Sequence, residues 1–288
     1  MNKPIVIYHK GCTDGFGAAW CFWNQYKDTY DYHPGVYQGK VPDVVDRDVF
    51  LVDFSYKRNV VEDILSAAKS VTLIDHHKSA LEDLWDLETA GLSMKHSSQE
   101  HSGAVLAWNY VQWAHRLSLG KPKKMPQVLA HVEDYDLWKF NLLYTKEIMA
   151  YVTLQDFEFK VWDKMMSVTK AGLVRMIKDG GLLERKQQQD CARIAETSLR
   201  DAVIDDHPTV LVNAPSLFFN DVAERLTRTN RFVALYYDTK DYRNFGLRSH
   251  SSNPDALDVS EIAVRFGGGG HKHSAGFKVD RRHTLSRI

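Results

Sequence analysis

Cysteine is scarce in this chain. Only Cys12, Cys21 and Cys191 occur among 288 residues, and neither their number nor their spacing makes a disulfide framework or a zinc finger. That usage suits a reducing compartment, and the cytoplasm is the expected location. No apolar run approaches the roughly 20 residues of a membrane-spanning helix. The run within MNKPIVIYHK is far too short for a secretory leader, so no membrane partner is expected. Net charge is missing as well: Lys plus Arg number 37 and Asp plus Glu number 37. Without a global basic field the chain is not built to hold a long duplex by its phosphates, which points to short ligands bound at a defined site. Internal repeats and low-complexity segments are also lacking.

What is present reads as two α/β regions. At 288 residues the chain is about twice a typical domain. Residues 4–8, 49–52 and 71–74 are short, apolar, β-branched runs, and helically spaced apolar residues follow the first two. Strand and helix signals alternating in this way predict a parallel sheet covered by helices on both faces. Helices are also expected from 102 to 117 and before Asp134, with a loop at 120–125. Residues 156–204 are charged and helix-favouring, and read as a helical connector broken at Gly180-Gly181. Strand signals at 210–212 and 232–237, around a helix near 222–226, announce a second, smaller α/β domain. The expected division is a catalytic domain over 1–155, the connector over 156–204 and a substrate-binding domain over 205–288. Trp20, Trp23, Trp108 and Trp113, at helical spacings, are expected in the core.

The three apolar runs of the first region end at chemically useful residues. His9 and Asp14 follow the first, Asp53 the second, and Asp75-His76-His77 the third. In open parallel sheets, ligands bind beyond the carboxyl ends of the strands, so these side chains should gather at one sheet edge. Carboxylates with neutral imidazoles are a ligand set for manganese, magnesium or zinc. Two such ions about 4 Å apart can hydrolyse phosphate esters.

In these motifs the chain resembles the DHH phosphoesterase superfamily. The resemblance rests on HKGCTDG at 9–15, Asp53, Asp75-His76-His77 and an acid within HVEDYDLW at 131–138. It implies that Asp53 bridges two divalent metal ions, manganese being the usual one. Asp14, His76 and Asp134 would complete one ion's shell, and His9 would help to hold the other. Asp75 and His77 are the implied catalytic pair, with His77 facing the phosphate. Asp134 is preferred over the neighbouring Glu133 and Asp136. The first element usually carries two aspartates, whereas Asp14 is the only acid here and Cys12 or Thr13 stands near the other position. Cys12 is read either as a small buried side chain or as part of a metal shell, and one or two ions remain open.

Near the C-terminus, residues 266–277 read FGGGGHKHSAGF. Successive glycines cost backbone entropy, and one use for them is to bring backbone N–H groups up to a phosphate. Arg248 upstream offers a guanidinium suited to paired bonds with a phosphate. Asp258 or Ser260 is placed to cap the helix before the glycines. This stretch resembles the DHH-associated C-terminal domain, which implies substrate binding by Arg248, Gly268, Gly269, Gly270 and His271, with His273 as a further candidate.

The expected activity is hydrolysis of a phosphodiester in a short single-stranded oligonucleotide or a small, including cyclic, nucleotide by a metal-bound hydroxide. The first domain would do the chemistry and the second would select the nucleotide. Removal of a terminal phosphate from a 3′,5′-bisphosphate is the alternative reaction, and a nucleotide-binding protein with impaired catalysis is the alternative class. A homo-oligomer is left open.

Overall fold

The computed structural model describes residues 2–37, 39–119 and 123–287, with the side chains of 117–119 and 286–287 outside the description. The loop expected at 120–125 therefore falls partly outside the described residues. The chain divides into two compact units, Met1–Glu184 and Arg185–Ile288. No helix among the described residues is long and apolar enough to cross a membrane.

The first unit opens with β1 (Ile5–His9), α1 (Thr13–Tyr26), β2 (Asp31–Gly35), β3 (Asp48–Val52), α2 (Arg58–Ala67), β4 (Ser70–Ile74), α3 (Lys78–Leu84) and β5 (Leu92–Ser93). The strands form one five-stranded sheet in the order β2-β1-β3-β4-β5. Every pairing in it is parallel. Side chains alternate between the faces of a strand, and the two cores follow that alternation. Val6, Phe50, Val52 and Ile74 enter one cluster. Ile5, Ile7, Val49, Leu51, Val71 and Leu73 enter the other. The expected parallel sheet covered on both faces is what forms.

α4 (Gly103–Leu119), α5 (Gln127–Asp136), α6 (Thr145–Val152) and α7 (Phe159–Met166) follow, and α8 (Lys170–Ser198) begins in this unit and ends in the next. Trp20 and Trp108 are buried and stack, with ring centroids 6.3 Å apart. Trp113, against expectation, is half exposed and packs beside His96 and Tyr110. The break expected at Gly180-Gly181 is absent, since α8 runs through both glycines. A Cβ on Gly180 would lie 1.8 Å from the Glu147 carbonyl oxygen of α6. The glycine lets two helices touch, which a charged, glycine-interrupted pattern does not reveal.

The second unit holds β6 (Arg200–Ile204), β7 (His207–Asn213), α9 (Phe219–Leu226), β8 (Val233–Asp238), β9 (Tyr242–Arg248), α10 (Val259–Arg265), β10 (Gly269–His271) and β11 (Ser274–Asp280). Its six-stranded sheet has the order β10-β11-β9-β8-β7-β6. β7 and β8 are parallel, with α9 as their crossover, and the other pairs are antiparallel. Asp258 caps α10 by accepting the Ser260 N–H at 3.0 Å.

Candidate active site

The C-terminal ends of β1, β3 and β4 deliver His9, Asp53 and Asp75-His76-His77 to one edge of the parallel sheet. α1 starts immediately beyond β1 and places Cys12 at its N-cap and Asp14 in its first turn. Asp53 leaves β3 in the left-handed region at φ 51°, a conformation that aspartate tolerates better than most residues. Its backbone N–H is held by the Ile74 carbonyl at 3.0 Å.

Asp53 is the centre of the cluster. It is 1% exposed, and neither carboxylate oxygen has a hydrogen-bond partner among the described residues. On one side, His76 Nε2 stands 3.2 Å from Oδ1. On the other, His9 Nδ1 stands 3.6 Å from Oδ2. Burial pushes the Asp53 carboxyl up, but these imidazoles outweigh burial and hold it well below the usual carboxylate range.

Three groups of potential ligands meet here: Asp53 with Asp75, His76 and His77; His9, Cys12 and Asp53; and Asp14, His76 and Asp136. Within each, every residue offers a donor atom, and these atoms lie within 4.8 Å of one another. Asp14 is fully buried, and its Oδ1 accepts the Ala104 N–H at 3.1 Å from the first turn of α4. Its Oδ2 lies 3.8 Å from His76 Nε2 and has no hydrogen-bond partner among the described residues. Burial, then the charges of Asp53 and Asp136, raise the Asp14 carboxyl well above its ordinary value. Asp136 Oδ2 lies 3.5 Å from His76 Nε2. Burial and the charge of Asp53 push Asp136 up to about 6. Burial likewise raises the Cys12 thiol, and the acids around it raise it further.

Asp75 acts on its neighbours. Its Oδ1 accepts the backbone N–H of His76 at 2.8 Å and meets His77 Nδ1 at 2.7 Å. Burial lowers the His77 imidazole, yet the bond to Asp75 prevails and lifts it to about 9. Gly103 opens α4 directly over the cluster. A Cβ there would stand 2.4 Å from the Asp53 Cβ and 2.9 Å from the Asp14 Oδ2.

The structure brings together His9, Asp14, Asp53, Asp75, His76 and His77 from the sequence-based expectation. Asp134 stays out. Its Oδ1 accepts Asn141 N–H at 2.8 Å, and its Oδ2 accepts Leu142 N–H at 3.1 Å and the Thr145 hydroxyl at 2.5 Å. Those donors fold the 137–145 segment back over α5, and Asp136, in the helix's last turn, meets the cluster instead. Sequence reasoning also missed the packing role of Gly103 and the anchoring of Asp14 by Ala104. The Ser102-Gly103-Ala104 run before a helical pattern was the only hint.

Buried carboxylate oxygens without hydrogen bonds are costly. Here they sit among imidazoles and a thiol, a donor set that fits a divalent cation.

In the second unit, Arg248 ends β9. Its Nε donates to Asn220 Oδ1 at 2.7 Å, and its Nη1 donates to the Leu247 carbonyl at 2.9 Å. Burial lowers its guanidinium to about 10. It lines a pocket of about 530 Å³ with Phe219, Tyr237, Gly246, Gly268 and Gly269. Gly270, His271 and His273 are not in that lining. Instead Gly270 and His271 belong to the β10–β11 hairpin, and His273 Nδ1 is 2.9 Å from the Ser249 hydroxyl. A Cβ on Gly268 would lie 2.1 Å from the Gly276 carbonyl oxygen. Strand packing therefore explains part of the glycine run that the sequence suggested was for a ligand.

No known family model matches the chain. It is 28% identical over 294 residues to uncharacterized protein R106 of Acanthamoeba polyphaga mimivirus, covering 94% of this chain and 66% of that protein. It is 22% identical over 246 residues to the oligoribonuclease NrnB of Bacillus subtilis (strain 168), covering 80% of this chain and 59% of that protein. The chain thus spans less than two thirds of either relative. Among solved structures it resembles the DHH domain of PF0399, a member of the s1p family of ribosomal proteins, with a TM-score of 0.59 at 10% identity over 99% of this chain and 85% of that one. The pGpG-specific phosphodiesterase PggH from Vibrio cholerae gives 0.55 at 14% identity, covering 99% and 96%. RecJ from Thermus thermophilus in complex with Mn2+ gives 0.53 at 14%, covering 97% and 50%. At these identities the likeness is one of fold.

Proposed function

We propose that this chain, which has the fold of DHH-domain proteins, is a divalent-metal-dependent phosphodiesterase acting on short oligonucleotides or small nucleotides. The observation that carries the reading is Asp53, whose two buried oxygens lack hydrogen-bond partners among the described residues and stand beside different imidazoles, His76 at Oδ1 and His9 at Oδ2. His9 and Cys12 would hold a cation on one side of Asp53, and Asp14, His76 and Asp136 one on the other. Manganese is the favoured metal, supported by its presence in the RecJ structure. Bound there, divalent cations acidify a water and neutralise charge on the phosphoryl oxygens.

The chain's own residues supply the rest. Asp75 fixes His77 through Nδ1 and favours the protonated imidazole. His77 can then hand a proton from Nε2 to the departing oxygen, which would otherwise leave as an alkoxide. Asp14 is held in place by α4, so its open oxygen has a fixed aim. In the second unit, Arg248 and the backbone at Gly268 and Gly269 are the proposed grip for a phosphate or nucleotide. The neighbours' own substrates, pGpG for PggH and oligoribonucleotides for NrnB, support ligands of this size.

The test is Mn2+-dependent hydrolysis of a labelled dinucleotide by purified wild-type, Asp53→Ala and His76→Ala chains, with products resolved. Both variants are expected to lose turnover. Undiminished turnover in both overturns the proposal.

A further inference from the structure

The groups of potential ligands at and beside Asp53 are not chemically alike. Asp14, His76 and Asp136 offer only oxygen and nitrogen, while the group beside His9 includes a sulfur. Soft thiolate selects a different set of metals from carboxylate and imidazole. The other two cysteines are buried in apolar cores. Cys21 is 1% exposed within the helical core of the first unit, and Cys191 is fully buried in a core of the second. Cys12 belongs to neither pattern: it is partly exposed, lies outside the core clusters and caps α1 at the sheet edge. A second observation points to a ligand at that place. Asp53 Oδ2 is buried without a hydrogen-bond partner among the described residues, and His9 Nδ1, another member of the same group, stands 3.6 Å from it.

We infer that Cys12 is a metal ligand, and that His9, Cys12 and Asp53 form a position for a thiophilic divalent cation such as Zn2+, beside an oxygen-and-nitrogen position suited to Mn2+ or Mg2+. The inference rests on the metal-dependent reading above and assigns the two positions different metals. Binding forms a sulfur–metal bond as the thiol proton leaves to solvent. Asp53 then shares its oxygens between a soft site and a hard one. The protein would bear one zinc-like and one manganese-like ion rather than a matched pair.

The experiment is Co2+ titration of the full chain, followed by absorption. Wild type should develop visible d–d bands together with a near-ultraviolet sulfur-to-cobalt charge-transfer band that saturates with added metal. Cys12→Ser should keep the d–d bands and lose the charge-transfer band. Serine is a favoured N-cap, so α1 is not put at risk. Cys12→Asp exchanges a soft thiolate for a hard carboxylate, so it should lower affinity for Cd2+ relative to Mn2+ by at least about tenfold. In wild type, Cd2+ should also slow alkylation of Cys12 by iodoacetamide, read by peptide mapping. This last measurement needs no variant. Cobalt d–d bands without a charge-transfer band, a band that survives in Cys12→Ser, or alkylation indifferent to Cd2+ would each overturn the role of Cys12 while leaving the metal-dependent reading standing. No binding of Co2+, Mn2+ or Cd2+ at all would overturn both.

Discussion

Replacing Gly103 by alanine should cripple metal binding in a chain that still folds. The new Cβ would lie 2.4 Å from the Asp53 Cβ, 2.8 Å from Asp53 Oδ1 and 2.9 Å from Asp14 Oδ2. Carbon atoms in comfortable contact are about 3.5–4.0 Å apart, so relief requires a shift of roughly 1 Å. α4 cannot easily supply it, because Ala104, the next residue, is fully buried and donates its N–H to Asp14. Asp53 is likewise pinned through its N–H to Ile74. The displacement therefore falls on the carboxylates themselves. Overpacking of this kind costs about 1–3 kcal/mol, and each kcal/mol lowers Tm by about 2–4 °C in a unit of this size. Disturbed ligand orientation costs about 10–100-fold in metal affinity. The assay pairs Mn2+ titration calorimetry with thermal unfolding on the same sample. Gly181→Ala is the control, since its Cβ would meet only Glu147 Cγ at an ordinary 3.6 Å. That change should leave metal affinity alone and add about 0.5–1 kcal/mol of helix stability. A folded Gly103→Ala chain with wild-type Mn2+ affinity refutes the packing argument.

Three further outcomes follow from the same geometry. Asp134→Asn should destabilise by about 1–3 kcal/mol through mismatched buried donors while sparing metal affinity, whereas Asp136→Asn should weaken Mn2+ binding with little loss of stability; calorimetry and denaturant unfolding of both variants would show the reverse pattern if Asp134 were the ligand. In metal-free protein, His77 is raised to about 9 against an unfolded value near 6.5. Its pairing with Asp75 thus contributes stability that is complete below about pH 6.5 and fades as pH rises through 9, and His77→Gln should remove that part of the alkaline slope in unfolding curves measured from pH 6 to 10. Saturating Mn2+ at about 100 times Kd should add roughly 2.7 kcal/mol, seen as a rise in Tm that EDTA reverses. An equal rise in Asp53→Ala would mean that the ion binds elsewhere.

Much of the site was legible because strand ends are legible. Short β-branched runs at 4–8, 49–52 and 71–74 fix where β1, β3 and β4 stop, and a parallel sheet brings those stops to one edge. His9, Asp53 and Asp75-His76-His77 needed no further information. Asp136 did. Asp134 and Asp136 are both carboxylates on α5, and the difference lies in the 137–145 segment, whose N–H groups and Thr145 hydroxyl occupy Asp134. Composition does not encode that return of the chain. The glycines are ambiguous for a related reason. A glycine that admits a ligand and one that admits a neighbouring backbone look identical in sequence, and Gly180 and Gly268 are constrained by backbone.

The electrostatics of the first unit fit the metal-dependent reading proposed above. Of eight buried side-chain polar atoms without hydrogen bonds among the described residues, four are oxygens of Asp14, Asp53 and Asp75. An unmatched buried polar atom costs about 1–3 kcal/mol, so four at one sheet edge form a large deficit beside a total stability of about 5–15 kcal/mol. Without metal, the acids divide the burden unequally. Asp53 has His9 and His76 beside it and stays ionised, while Asp14 and Asp136, crowded by that charge, are driven toward protonation. Protons and a cation therefore compete for the same oxygens. A cation that displaces them relieves the repulsion among Asp14, Asp53 and Asp136 and satisfies the bare oxygens in one step. The residues that weaken the metal-free fold are for that reason the ones best arranged to bind.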